Sequence, residues 1–231
     1  RGRHGRSRGV HSFFSGDNPL FRFTGMVLDV VVLSLLWLVC CLPVVTIGPA
    51  TAALYYSCVK CLRFHEPEPY GSFFSALREN LGTGVGFTLV FAAVAALLRW
   101  GYGFLTGILP EGETWSAVMQ IAYLLLALLP VGAFSAGAAL LSRFQYTVRG
   151  LLSDSIRILF RHFPRVFLAA VLNTAAVFLG IRYFYYMVWL LLPALEALLV
   201  SLVLEPLLRK YTPQPEGEEE LDPEDRPWYL R

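Results

Sequence analysis

Residues 115–142 read WSAVMQIAYLLLALLPVGAFSAGAALLS, without one charged side chain. A helix rises 1.5 Å per residue, so about 20 apolar residues cross a hydrocarbon core of about 30 Å. Segments 81–98 and 166–181 are also uncharged, and 26–45 carries only Asp29. Over its 231 residues the chain is 56% hydrophobic and only 16% charged, against about 25% charged in an ordinary soluble domain. Apolar residues in unbroken blocks, not amphipathic stripes, exclude a soluble globular core. The fold class predicted is all-α: a polytopic transmembrane helical bundle. The first apolar run begins about 25 residues in and is long enough to stay in the membrane, so no cleavable signal peptide is expected.

The net charge of +2 says little as a sum; its distribution says more. Basic residues gather before the first apolar run (Arg1, Arg3, Arg6, Arg8, Arg22) and between the second and third segments (Lys60, Arg63, Arg78). They gather again at Arg143, Arg149, Arg157, Arg161 and Arg165, and after the last run at Arg209, Lys210, Arg226 and Arg231. Only Arg99 and Arg182 fall within apolar runs, and the short loop 110–114 holds Glu111 and Glu113 with no base. Lys and Arg in short loops mark the cytoplasmic side. One arrangement satisfies every group: about six spans as three hairpins, near 26–45, 49–64, 82–107, 115–142, 165–185 and 188–208, with both termini cytoplasmic. Segment 49–64 is the weak member, because 16 residues give about 24 Å of helix; without it five spans result. Gly48-Pro49 makes a helix start, since an early Pro gives up an amide that has no partner there.

Outside the transmembrane domain (18–211) lie a basic arm (1–17) and a Pro-, Gly- and acid-rich tail (212–231) expected to be disordered. The arm needs no nucleic acid to explain it, because anionic membrane lipid suffices. Segments 70–80 and 149–163 mix aromatics, leucines and arginines at helical spacing, and read as amphipathic cytoplasmic helices.

No catalytic signature is present: no H-E-x-x-H, no G-x-S-x-G and no nucleotide-binding G-x-x-x-x-G-K. An enzyme is not expected, and no cofactor. His4, His11, His65 and His162 are scattered. Cys58 and Cys61 make a C-V-K-C pattern with Cys40 and Cys41 upstream, yet four zinc ligands must converge. The two cysteine pairs fall near opposite ends of their segments, so packing is the better reading and no metal site is predicted. Arg99, Arg182 and Glu196 form a proposed intramembrane charge cluster, since ionisable groups in spans tend to face protein and pair. For the arginines the competing reading is snorkelling to the outer headgroups beside the aromatics Tyr183, Tyr185, Tyr186 and Trp189. Asp29 and Glu205 read as solvated at inner span ends. Gly132, Ala133, Ala136 and Gly137, spaced four apart, allow close helix approach and offer a face to a partner. Pro130 should kink the same helix.

A more specific signal lies in Leu36-Trp37-Leu38 followed by Leu42-Pro43-Val44-Val45-Thr46-Ile47-Gly48-Pro49-Ala50-Thr51-Ala52-Ala53-Leu54-Tyr55. This stretch resembles the signature of the YesL family, bacterial membrane proteins carrying a domain of unknown function. A Ser-Phe-Phe-x-x-x-(Lys/Arg)-x-Asn pattern is matched by Ser72-Phe73-Phe74, Arg78 and Asn80. The similarity covers about 18–211. Within the signature, Pro43, Thr46, Gly48 and Pro49 read as a tight turn, with Ala50 to Ala53 packing closely. The resemblance implies the bacterial cytoplasmic membrane and a gene neighbourhood of carbohydrate ABC importers and glycan-degrading enzymes. It carries over no catalytic residue. The function expected is a non-enzymatic accessory subunit that assists or regulates such an importer through its permease subunits. An independent small-solute transporter or channel, as a homo-oligomer or alone, is the alternative.

Overall fold

The computed structural model describes residues 19–110, 113–182 and 186–210, with side chains from residue 24 onward apart from 186–189. The basic arm, the acidic tail, Glu111, Tyr183 and Tyr185 lie outside this description, as do the side chains of Tyr186 and Trp189. Among the described residues every regular element is helical: α1 (Pro19–Cys40), α2 (Ile47–Ser57), α3 (Pro69–Ile108), α4 (Thr114–Leu141), α5 (Val148–Arg161), α6 (Phe163–Arg182) and α7 (Tyr186–Leu208). A 3-10 turn (Val44–Thr46) leads into α2, and a π turn (Cys58–Arg63) extends it.

Four helical stretches are long and apolar enough to cross a membrane: Pro69–Ile108, Thr114–Leu141, Phe163–Arg182 and Leu190–Leu208. Thr24–Cys40 is apolar but shorter. The segment expected at 49–64 is not among them. With its π turn α2 is about 25 Å long, and most of its residues are buried, from Gly48 through Ser57. It is a helix wrapped by protein.

The two segments read as amphipathic cytoplasmic helices fare differently. Residues 149–163 largely form the separate helix α5, which ends at His162 (φ −125°, ψ 40°). Pro164 explains that break, because it lacks an amide and its ring crowds the preceding turn. Residues 70–80 instead run straight into α3, whose 40 residues span about 60 Å. No proline interrupts the run after Pro69, so nothing ends the helix between Asn80 and Leu81. The reversal before it, between the π turn and α3, places His65 (φ 59°) and Glu68 (φ 66°) in the left-handed region, flanking Pro67.

Packing centres on α2. Its start lies against α3 so closely that a Cβ on Gly84 would sit 2.7–2.9 Å from the Pro49 ring and nitrogen. The Gly48 amide, unpaired within its own helix so near the start, donates to Thr88 Oγ1 on α3 (2.9 Å). Gly48 therefore serves a helix crossing more than the turn the sequence assigned it to. Thr46 does serve the turn, donating to the carbonyls of Cys40 and Pro43.

On α4, Gly132 faces Val166 and Ala170 of α6, while Gly137 faces Phe87 of α3 and Ser155 of α5. Ala133 and Ala136 are buried in the same core. The small-residue face is thus filled from within the chain, which corrects the expectation that it meets a partner. Beyond Thr88 on α3 and before Gly132 on α4 almost nothing is buried. There the two helices touch mainly each other: Tyr123 donates to the Leu98 carbonyl (2.8 Å), and Trp100, Phe104 and Trp115 are exposed.

Gly132 of α4 lies against Val166 and Ala170 of α6, and Ser135 of α4 accepts from Asn173 of α6; α5, about 21 Å long, connects the two helices.

Candidate functional site

Where α1, α2, α4, α6 and α7 converge they leave a cavity of about 220 Å³. The signature segment supplies Trp37, Ile47, Thr51, Leu54 and Tyr55; α4 supplies Phe134, Ser135 and Ala138. Asn173, Ala176 and Val177 come from α6, and Leu192, Pro193, Glu196, Ala197 and Val200 from α7. Pro193 has no amide to donate, and the next one, Ala194 N–H, reaches across to Ser34 Oγ on α1 (3.2 Å). That bond ties α7 to α1 at the broken turn, next to the cavity wall.

Most polar lining groups are already committed. Trp37 Nε1 donates to Thr51 Oγ1 (3.2 Å), and Thr51 donates to the Ile47 carbonyl (2.7 Å). Asn173 Nδ2 donates to Ser135 Oγ (2.8 Å), which donates to the Val131 carbonyl (2.9 Å). Glu196 stands apart: its Oε1 is buried and has no hydrogen-bond partner among the described residues. A buried polar atom left unpaired costs about 1–3 kcal/mol, more if charged, so this carboxyl group is where the site lacks a ligand or a proton.

Below the cavity floor sits a charged network. Tyr55 donates to Glu205 Oε2 (3.2 Å), and Glu205 pairs with Arg143, their side chains 1% and 4% exposed. Arg63 donates to the Ser201 carbonyl (3.3 Å) and, like Arg209, lies over the Phe64 ring. Arg143 also lines a second, polar cavity with Glu79, Asn80 and Gln145. The Tyr55–Glu205–Arg143 chain therefore links a wall residue of one cavity to a wall residue of the other.

Of the sequence-predicted cluster, Glu196 lines the cavity, while Arg99 and Arg182 are exposed and form no ion pair with it. Among the described residues the ion pairs are Arg143–Glu205 and Arg157–Asp154. Arg99 points along α3 toward Gly103, the direction that snorkelling takes. Asp29 accepts from the Tyr70 hydroxyl (2.6 Å). Glu205, expected to be solvated, is buried and paired, a correction only the three-dimensional contact with Arg143 reveals. The four cysteines are free, and among the described residues no three His, Cys, Asp or Glu side chains gather as metal ligands.

The class these features define is an α-helical membrane protein: four helices are long and apolar enough to cross a membrane, and three of them, α4, α6 and α7, line a cavity with one unpaired carboxyl. Residues 30–102 match the family model described as "Protein of unknown function, DUF624", a stretch that contains the signature, α2 and most of α3. No curated protein and no solved structure matches the chain.

Proposed function

We propose that the protein is a non-enzymatic membrane protein that binds a small solute within the bilayer, as a transporter or channel does. The observation that supports this reading is the cavity whose one charged lining group, Glu196, has no partner. Concave, mostly apolar sites with a few fixed polar groups are where small molecules bind. The Tyr55–Glu205–Arg143 chain between the two cavities fits an inner barrier on such a route. Purified protein alone in liposomes should exchange small amphipathic solutes, and Ala176→Leu, which fills the cavity, should abolish the exchange. Equal flux in protein-free vesicles would sink the reading.

A second reading, the accessory subunit of a carbohydrate ABC importer, draws on the YesL-like signature and on the exposed apolar faces of α3 and α4 beyond Thr88. Those faces are free for permease helices or for a second copy of this chain. Permease subunits should then co-purify in mild detergent, and loss of the protein should lower oligosaccharide uptake or importer abundance. The isolated ATPase should be unaffected.

The finer topology belongs to this proposal: the bacterial plasma membrane, with both termini and the basic segment around Ser153 cytoplasmic and Glu113 outside. A single cysteine at position 153, in a cysteine-free background, should be labelled only after the cells are opened. Labelling from outside intact cells overturns this orientation.

A further inference from the structure

The chemistry of the cavity wall restricts what it can hold. Trp37, Thr51, Tyr55 and Ser135 have all spent their donor hydrogens within the protein. Asn173 has spent one and keeps its carbonyl. What the wall has left to offer is chiefly acceptor capacity, concentrated on the Glu196 carboxyl group. The missing partner is therefore a donor. No Lys, Arg or His lines the cavity, and the nearby Arg143 is held by Glu205.

Three kinds of donor compete. A hard metal ion demands about six oxygen ligands, and this wall is mostly carbon. A sugar brings many hydroxyls, each needing partners that Leu54, Ala176, Leu192 and Val200 cannot supply, and every unmet one is costly. An ammonium group on an apolar body needs one carboxylate, and the rings of Trp37 and Phe134 offer further attraction to a cation. Size agrees: a cavity of about 150 Å³ holds benzene, so one of about 220 Å³ takes a ring with a short chain.

We propose that the cavity binds a small amine in its protonated form, the ammonium bonded to Glu196 and its apolar body packed between α2, α4 and α6. This deepens the solute-binding reading and rests on it. The full chain, purified in a nonionic detergent, is titrated with 2-phenylethylammonium and with its uncharged isostere 2-phenylethanol, binding being followed by calorimetry. The ammonium should bind about tenfold tighter or more, as a hydrogen bond between charged groups supplies. Glu196→Gln should bring the two affinities together, the ammonium losing much more than the alcohol, and Ala176→Leu should weaken both. Equal affinities in the unmodified protein overturn the amine assignment and leave the cavity as a neutral-solute site. Binding of neither probe, or undiminished binding of both by Ala176→Leu, overturns the solute-binding reading with it.

Discussion

Glu205→Ala is expected to destabilise the purified protein by about 3–5 kcal/mol, the usual result of removing one member of a buried ion pair. The pair is almost wholly buried, with Glu205 1% and Arg143 4% exposed. Removing the carboxylate takes from the buried Arg143 guanidinium its ion-pair partner and deprives the Tyr55 hydroxyl of its acceptor. The penalty comes from what is left behind, so removing both charges should cost far less than the sum. Arg143→Met with Glu205→Leu keeps the volume and leaves no buried charge, and exchanges of that kind are often neutral or stabilising. Arg157→Ala is the control. Its bridge to Asp154 is i,i+3 on an exposed helix face, and such pairs contribute about 0–1 kcal/mol. Thermal unfolding in one detergent of Glu205→Ala, Arg157→Ala, the double variant and its single components Arg143→Met and Glu205→Leu closes the cycle. A single Glu205→Ala effect no larger than that of Arg157→Ala, or strict additivity in the double variant, contradicts the arrangement described.

This pair also shows where reading the sequence stopped. The membrane-capable helices were legible because each holds a long apolar stretch with at most two charges, and such a stretch is a local property of the chain. Glu205 and Arg143 are 62 residues apart, and each alone resembles an ordinary interfacial charge. Glu196 could be singled out, because a carboxylate within an apolar run is conspicuous. Its expected arginine partners could not be tested by spacing, and both lie exposed on other faces of the bundle. The cavity was invisible, since it forms from five helices that no sequence period connects. The start of α3 was misjudged for a local reason: amphipathic and apolar stretches differ in composition, but without a proline or a capping residue between them the helix does not stop. Pro164 gave that stop before α6, and α5 was legible for that reason.

Gly84→Ala is the sharpest test of how the signature segment is held. The added methyl would fall 2.7–2.9 Å from Cβ, Cδ and the nitrogen of Pro49. A pyrrolidine ring has no rotamer with which to give way, and its nitrogen is backbone. Either α2 or α3 must move, and overpacking of this kind costs about 1–3 kcal/mol. Two residues earlier, Gly82 has nothing within 4 Å of its would-be Cβ. Gly82→Ala should therefore stabilise the helix by up to about 1 kcal/mol, because alanine loses less freedom on folding. The opposite signs separate packing from helix propensity within one stretch of helix. Movement of α2 also has a functional readout, since its Thr51, Leu54 and Tyr55 form one wall of the cavity. Gly84→Ala should weaken 2-phenylethylammonium binding although residue 84 does not line the cavity. Pro49→Ala in the same chain should restore part of both losses by removing the ring carbon Cδ. If Gly82→Ala and Gly84→Ala shift the unfolding temperature in the same direction by similar amounts, α2 does not lie against α3 at this crossing.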